Sequence, residues 1–381
     1  MMRILTVDVG TGTQDIFLYD SRVDIENGYK LILPSPTMMV RRKIQACTRR
    51  GQAVFLYGVM MGGGPNQWAA EEHIRQGFPL YATPQAARSF NDDLEAVQEM
   101  GVRLISEDEG RSLPAEVERI ELKDFDFRAI QTALEGFGVD LKHLAAVAVA
   151  VFDHGDAPRG ISDRQFRFDY LHQRIRAENR LSAFAYRAEE IPPIMTRLQA
   201  VARSAGQVDA PLVVMDTAPA AVLGAGFDPK LAEKDRLLIA NVGNFHTLAF
   251  RLGEGGIEGV FEHHTGLLTL EKLEGLLERL AAGDLRHEDV FSDHGHGALV
   301  YDHRRLDLTE GEFGVAITGP RRGMMKRSRL RPYFAVPFGD MMIAGCFGLL
   351  AATADLLPQL AETIRESLRV ENSGRPPWEF D

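Results

Sequence analysis

Cysteine is almost absent from this sequence, which has only Cys47 and Cys346 among its 381 residues. Two isolated thiols exclude a disulfide framework, a cysteine-rich zinc site and the three-cysteine cluster that holds an iron–sulfur centre. Apolar runs are short, and none approaches the about 20 residues of a membrane-spanning helix. Positive charge is in deficit, with 43 Lys and Arg against 54 Asp and Glu. This balance argues against an extended nucleic-acid surface.

The rest of the composition is that of an ordinary globular protein, with 45% hydrophobic and 25% charged residues. The length is sufficient for two or more hydrophobic cores. The chain passes from Met1-Met2-Arg3 directly into a strand pattern, without the apolar region of a signal peptide. We therefore expect a cytoplasmic protein of two domains, with neither a membrane nor a nucleic acid as partner.

The opening stretch predicts a β-hairpin around a glycine turn. Apolar runs at residues 4–9 and 16–19 flank the turn sequence Gly10-Thr11-Gly12-Thr13. The two glycines permit close approach of backbone N–H groups to an anion, and the two threonines add hydroxyl donors. Asp8 ends the first run, where a carboxylate would hold a hydrated Mg2+ beside phosphates. The alternative is an ordinary hairpin with a surface carboxylate.

The second half of the chain repeats this pattern. A strand at residues 237–242 runs into the polar turn Gly243-Asn244-Phe245-His246-Thr247, and a further strand follows. Asn241 stands where Asp8 stood in the first hairpin. A charged linker at residues 230–235 separates the halves. Two halves with one plan indicate an internal structural repeat.

Two acids follow buried strands and are candidates for chemistry. Asp153 follows the apolar run at 144–152, and Asp216 follows the run at 210–215. Ligands of open α/β sheets bind outside the carboxyl ends of the strands, so both positions favour catalysis or metal contact. A polar turn is the alternative for Asp153. A glycine run at residues 62–64, between a strand and a helix, is either a second anion site or a plain loop.

Histidines are dense towards the end of the chain. The segment contains His263, His264, His287, His294, His296 and His303, with Asp293 and Asp302 beside them. A His-x-His pair next to an aspartate can bind Zn2+, Fe2+ or Mn2+. Such a pair fits a metal best on a strand, however, and residues 292–297 have a loop pattern. The alternative is therefore a solvated or substrate-facing loop.

In this order and spacing, the motifs resemble those of the actin-like ATPase superfamily, which includes sugar kinases, acetate kinases and heat-shock chaperone ATPases. Residues 8–13 are similar to its first phosphate loop, residues 241–247 to its second, and residues 317–322 to its adenosine strand and turn. Residues 337–345, which lead into the predicted helix at 340–356, are similar to its last connecting helix. The resemblance implies an α/β fold of two ribonuclease-H-like domains with a nucleotide cleft between them.

The resemblance also implies the domain boundaries. Residues 1–232 are expected to form the first domain, with an insertion at about 50–140, and residues 233–339 the second. Residues 340–370 are expected to return to the first domain as a helix, and residues 371–381 to form a loose tail.

ATP and Mg2+ are the cofactors that the resemblance implies. It assigns the metal to Asp8, the nucleotide to Gly10, Thr11, Gly12, Thr13, Asn241, Gly243, Asn244, Thr247, Gly319 and Pro320, and the general base to Asp216 or, as second choice, Asp153. The function it favours is an ATP-dependent phosphotransferase acting on a small molecule. A regulatory ATPase read by a protein partner is the alternative. A binding protein without catalysis is another, because Asn241 replaces the usual acid. The oligomeric state stays open.

The chain further resembles a family whose members carry the label of activating enzymes of pyruvate formate-lyase. That activity is radical chemistry, and it needs three clustered cysteines for an iron–sulfur centre. Cys47 and Cys346 cannot form such a cluster, so we do not expect this activity.

Overall fold

The computed structural model describes residues 2–369, a mixed α/β protein with three sheets in this range. The strands are β1 Arg3–Val9, β2 Thr13–Asp20, β3 Tyr29–Pro34, β4 Val54–Gly58, β5 Leu80–Ala82, β6 Arg103–Leu104, β7 Glu118–Leu122, β8 Ala146–Val151, β9 Ala185–Arg187, β10 Leu212–Asp216, β11 Leu237–Val242, β12 His246–Gly253, β13 Gly256–His264, β14 Gly297–Val300, β15 Val315–Thr318 and β16 Pro332–Phe334. The expected α/β class is confirmed.

Helices alternate with the strands outside the hairpins. They are α1 Pro36–Arg50, α2 Pro65–Arg75, α3 Pro84–Ala87, α4 Leu94–Glu99, α5 Glu107–Arg111, α6 Phe127–Glu135, α7 Asp163–Ala177, α8 Thr196–Ser204, α9 Thr217–Ala225, α10 Pro229–Ala232, α11 Leu270–Ala282, α12 His287–Phe291, α13 Ala344–Leu356 and α14 Pro358–Arg369. Between residues 2 and 369, none of them has both the length and the apolar character needed to span a bilayer. The tail predicted at 371–381 lies outside the described residues.

Two six-stranded sheets share one plan. The first has the order β3-β2-β1-β8-β10-β9 and the second β14-β13-β12-β11-β15-β16. In each, three consecutive strands form an antiparallel meander, and the first strand of the meander pairs in parallel with a later strand. A further parallel strand, β10 or β16, lies beside it. The repeated hairpin in the sequence therefore corresponds to a repeated strand order.

The two meanders begin with the same kind of turn. The amide of Gly10 donates to the carbonyl of Thr13 at 2.9 Å, and the amide of Gly243 donates to the carbonyl of His246 at 3.0 Å. The register of the first hairpin pairs Asp8 directly with Asp15. Because directly paired residues of antiparallel strands project to the same face, these two carboxylates lie side by side.

Helices α9 and α13 cross in backbone contact. A Cβ on Gly224 would lie 1.7 Å from the carbonyl oxygen of Ala344, and one on Gly348 would lie 1.9 Å from that of Ala220. The small residues of both helices permit this approach, and α13 packs its apolar side chains against the first sheet. The beginning of α13 thereby reaches the first hairpin, since a Cβ on Gly345 would lie 1.9 Å from Oδ2 of Asp8.

Residues 54–122 contain a third, parallel sheet with the order β6-β5-β4-β7. It has its own core, formed with α1 to α4. The glycine run at residues 62–64 leads from β4 into α2. Strand β4 is where the chain order of the sheet reverses, since β5 lies on one side and β7 on the other. Such a switch point often binds ligands in α/β sheets.

Candidate functional site

A cleft opens between the two glycine turns, with about 830 Å³ of empty space inside it and at its mouth. The turns meet at its edge, because a Cβ on Gly12 would lie 2.7 Å from Nδ2 of Asn244. The predicted binding and metal residues that line the cleft are Asp8, Gly10, Thr11, Thr13, Asn241, Gly243, Asn244, Gly319 and Pro320. Motifs that lie more than 300 residues apart in the sequence are thus brought together in one place.

Asp8 and Asp15 form an acid pair in this cleft. Oδ1 of Asp8 accepts a hydrogen bond of 2.6 Å from the hydroxyl of Thr217. Oδ1 of Asp15 is buried without a hydrogen-bond partner. Burial raises the pKa of both carboxyl groups, and the nearby charge of Asp8 raises the pKa of Asp15 further. Burial and the neighbouring charge thus both disfavour ionisation of the two carboxyl groups at once.

Asp15 is a cleft residue that was not predicted, although the hairpin pattern contains the signal for it. A hairpin that turns at residues 10–13 pairs residue 8 with residue 15, as the observed register does. Since Asp15 also lines the cleft, the carboxylate predicted at Asp8 is one of two.

Asp216, the first candidate for the base, is not among the residues that line the cleft. It ends β10 and caps α9, accepting the amide of Ala218 at 3.2 Å. Its Oδ2 accepts a hydrogen bond of 2.6 Å from Nη1 of Arg167. Its chain neighbour Thr217 does line the cleft, so the Asp216 carboxylate lies just behind the wall.

Asp153, the second candidate, is also absent from the cleft lining and is buried. It accepts backbone amides of Gly155 at 2.9 Å, Arg197 at 3.0 Å and Leu198 at 2.9 Å. Burial raises the pKa of its carboxyl group, and the amide of Leu198 opposes this effect. The carboxylate is thus occupied in holding the start of α8.

Thr247, predicted to bind nucleotide, projects away from the cleft. It is fully buried, and its hydroxyl lies 2.9 Å from that of Thr265. Its neighbour His246 lines the cleft instead. This follows from strand geometry, because successive side chains of β12 point to opposite faces.

Arg167 of α7 connects the two six-stranded sheets through buried charges. Its Nη1 donates to Asp216 at 2.6 Å and to the carbonyl of Asp153 at 2.8 Å. Its Nε donates to Glu262 of β13 at 2.6 Å. The guanidinium lies 4.1 Å from the ring centre of Phe152. Because Asp216 belongs to the first sheet and Glu262 to the second, one side chain joins the two halves.

Arg197 lines the cleft and joins it to the third sheet. It forms a two-point ion pair with Asp124, at 2.7 and 3.0 Å, and donates to the carbonyl of Phe152 at 2.7 Å. The amide of Gly62 also donates to Asp124, at 3.2 Å. This part of the glycine run therefore binds a carboxylate of the chain itself.

Three histidine rings, His246, His264 and His296, converge beside the cleft. Their ring centres are separated by 5.0 Å, 5.0 Å and 4.8 Å. Burial lowers the pKa of all three rings, and their mutual proximity lowers it further for His246 and His296. Each lowered pKa favours the neutral ring, the form that keeps a nitrogen lone pair.

The other histidines of the segment have separate surroundings. His263 lies 3.1 Å from Asp293, His303 bonds to the carbonyl of Gly283 at 2.8 Å, and His294 is exposed. His264 and His296 are the two residues of the predicted segment that lie together in this cluster. The third member is His246, which was predicted only as part of the second turn. The hairpin register contains the missing signal, because it pairs His246 with His264.

The chain belongs to the family described as "Putative pyruvate format-lyase activating enzyme (DUF1786)", whose model matches residues 61–324. The family resemblance is therefore confirmed. The activity in that description does not fit the residues, because Cys47 and Cys346 are buried in two different cores. Three cysteine ligands cannot be assembled from them. No curated protein matches the chain.

Several solved kinases match this chain at low identity and low TM-score. The inorganic polyphosphate/ATP-glucomannokinase from Arthrobacter sp. strain KM has 11% identity and a TM-score of 0.35, over 93% of this chain and 100% of that one. The ROK hexokinase from Thermus thermophilus has 14% identity and a TM-score of 0.24, over 97% and 88%. A propionate kinase from Francisella tularensis has 8% identity and a TM-score of 0.25, over 68% and 57%. Likeness of this degree carries no inference about function, which rests on the residues of the cleft.

Proposed function

We propose that this chain binds ATP and Mg2+ in the cleft and transfers the terminal phosphoryl group to a small molecule. The observation that carries the proposal is that two glycine turns and an acid pair converge on one cleft. Residues 10–13 and 243–246 offer backbone N–H groups from two sides, and the first turn adds the hydroxyls of Thr11 and Thr13, which is how proteins commonly hold polyphosphates. The cleft would separate two ribonuclease-H-like domains, residues 1–232 and 233–339, with residues 340–370 returning to the first domain.

Asp8 and Asp15 fit a Mg2+ ion. Magnesium is bound through one or two carboxylates while it keeps several of its waters, and it prefers oxygen ligands. The unpartnered Oδ1 of Asp15 is an oxygen of this kind, and Asn241 adds a neutral amide oxygen on the other side of the cleft. Asp8 and Asp15 would hold the ion, and when bound it would supply positive charge against the negative charge of the phosphates.

Gly319 and Pro320 line the cleft, and we infer that they contact the adenosine. Gly319 has φ of +96°, and a Cβ there would lie 2.4 Å from Oδ1 of Asn241. Only glycine therefore fits between β15 and the second turn, and its bare backbone leaves room for a flat base.

Asp216 remains our candidate for the base that takes the acceptor's proton, and Asp153 is the second candidate. Thr217, the next residue after Asp216, lines the cleft. Its hydroxyl already donates to Asp8. To act, the carboxylate would have to release Arg167, so domain movement would accompany catalysis.

The test is a binding and turnover experiment with the full chain. Calorimetric titration with ATP should show binding that strengthens with Mg2+, and ATP consumption should rise with one member of a metabolite panel. Asp216→Asn should leave ATP affinity nearly unchanged and reduce turnover on the order of a hundredfold or more, since a general base contributes little to the ground-state complex. Absence of ATP binding at millimolar concentration would exclude the function. If Asp153→Asn alone abolishes turnover, the base is Asp153.

A regulatory ATPase is the second candidate, and two observations favour it. The carboxylates of both candidate bases, Asp216 and Asp153, already accept hydrogen bonds from other groups of the chain. In addition, the exposed Trp68 of the third sheet's α2 stacks on Phe245 of the second turn, with ring centres 5.6 Å apart. Nucleotide-dependent movement of that turn would thus reach a surface residue. ATP hydrolysis that a protein partner accelerates, and that no metabolite accelerates, would select this function.

A further inference from the structure

We propose that His246, His264 and His296 together bind one divalent transition-metal ion of the Zn2+ or Fe2+ class. This site is separate from the acid pair in its ligands and in the ion it selects. Imidazole nitrogen suits Zn2+, Fe2+, Ni2+ and Cu2+, whereas Mg2+ prefers oxygen.

The spacing of the three rings matches a metal centre. Their candidate ligand atoms all lie within 4.8 Å of one another. An ion bonded to three imidazole nitrogens at about 2.0–2.1 Å in a tetrahedral arrangement holds the ring centres about 5 Å apart. The observed separations are 4.8 to 5.0 Å. The planes are inclined at 43°, 62° and 89°, so the three rings do not stack face to face.

The three ligands are carried by adjacent strands. His246 is the first residue of β12 and His264 the last residue of β13, and the two are directly paired. His296 immediately precedes β14, and its amide donates to the carbonyl of Glu262 at 2.9 Å. Because β12, β13 and β14 are neighbours, the three ligands lie together at the same end of these strands. Sites on strands hold their geometry better than sites on loops alone.

His296 supplies the independent sign of a ligand. Its side chain is buried, with the residue only 4% exposed, and neither ring nitrogen has a hydrogen-bond partner. Leaving such polar atoms buried and unpaired costs free energy. Oε1 of Glu262 is also unpartnered, and it lies 3.5 Å from Nδ1 of His296.

A small movement would let Nδ1 of His296 donate to Glu262 and turn Nε2 towards the ion. A carboxylate behind a ligating histidine is the usual arrangement around protein-bound zinc. Arg167 fixes Glu262 from the other side, at 2.6 Å. With three protein ligands one position stays open for water or substrate. His246 belongs to the cleft lining, so the ion would lie at the wall of the cleft.

The test is metal binding by the full chain in the absence of nucleotide. After chelator treatment and dialysis, Zn2+ should bind at one ion per chain in competition with a chromophoric chelator. Co2+ should give the visible absorption of a tetrahedral site. His246→Gln and His264→Gln should each weaken Zn2+ binding on the order of a hundredfold or more, and Glu262→Gln by about ten- to a hundredfold.

His294→Asn is the matched control. His294 is exposed, two residues from His296, and has φ of +64°, which asparagine tolerates. This variant should bind Zn2+ as the native chain does, and circular dichroism should be native for all variants. The two half-buried ligands keep the test valid should a variant of the buried His296 fail to fold.

Three results would overturn the site. They are no Zn2+ binding in the micromolar range, one-to-one binding that survives in the His246→Gln/His264→Gln double variant, and loss of Zn2+ binding in Asp8→Asn. Zinc binding is measured without ATP, so this inference and the proposed ATP-dependent function can fail separately.

Discussion

The two glycine turns of the cleft share a backbone design and differ in chemistry. Each is closed by a hydrogen bond from the first glycine to the residue three positions later, at 2.9 and 3.0 Å. The first turn stands beside Asp8 and Asp15. At the matching positions the second has Asn241 and Leu248, and it has His246 where the first has Thr13. On the proposed function, the repeated backbone would fix where a ligand binds, and the side chains of the flanking strands would decide which ion binds beside it.

Arg167 is the buried side chain that joins the two halves of the molecule. Arg167→Met would leave the carboxylates of Asp216 and Glu262 buried without a cation, so we expect a loss of about 3–5 kcal/mol in the free energy of unfolding. Chemical denaturation measures this value. Arg176→Met is the control, because Arg176 is exposed on the same helix, and it should change stability by about 0.5 kcal/mol or less.

Neutralising the two carboxylates that Arg167→Met leaves without a cation should restore part of the lost free energy of unfolding. The triple variant Arg167→Met/Asp216→Asn/Glu262→Gln has no buried charge left in this network, and it should be more stable than Arg167→Met alone. A loss below about 1 kcal/mol in the single variant would contradict the assignment of Arg167 as the link.

The difference in ligands between the two turns should separate two kinds of metal binding. Asp8→Asn removes a charged oxygen ligand, and it should weaken Mg2+-dependent ATP binding on the order of a hundredfold while leaving Zn2+ binding intact. Calorimetry with and without Mg2+ measures the first effect. Asp169→Asn, at an exposed carboxylate of α7, is the control for the lost charge. Equal losses of Mg2+ and Zn2+ binding in Asp8→Asn would mean that the turns do not hold different ions.

Local features of this chain could be predicted from the sequence, because they depend on neighbours along the chain. The glycine turns, the flanking strands and the acid at the end of β1 follow from periodicity and turn chemistry. The pairs Asp8 with Asp15 and His246 with His264 were predictable in principle, since hairpin register follows from the position of the turn.

Contacts between distant segments could not be predicted in the same way. His296 joins the histidine cluster from across residues 265–295, and Arg167 meets Glu262 from 95 positions away in the chain. Hydrophobic periodicity along the sequence does not reveal such contacts. The third sheet was missed for another reason: β5 has only three residues, too few for an alternating pattern.

The contact between the turns gives a smaller effect. A Cβ on Gly12 would meet Nδ2 of Asn244 at 2.7 Å, so Gly12→Val should displace the Asn244 side chain, block approach of the backbone to the phosphates and lower ATP affinity about tenfold or more, equivalent to ~1.4 kcal/mol. Gly255→Val is the control, because a Cβ on Gly255, in the next turn of the second meander, meets nothing within 4 Å. Titration with ATP–Mg2+ measures both variants. Unchanged affinity in Gly12→Val would remove this turn from the nucleotide site.

The smallest effect should come from making the second turn resemble the first. Asn241→Asp places a third carboxylate on the cleft, across from Asp8 and Asp15. A charge interaction of about 1 kcal/mol across a partly solvated cleft corresponds to a several-fold change in binding. Its sign should depend on the cation, because the new carboxylate attracts Mg2+ and repels the phosphates. We therefore expect tighter ATP binding with Mg2+ and weaker binding without it, measured by parallel titrations.

Asn91→Asp is the control, because it adds the same charge at an exposed position. It should change ATP affinity neither with Mg2+ nor without it. A change of the same sign in both titrations would mean that Asn241 does not face the ion, and the two turns would then differ in their distance from the metal as well as in their ligands.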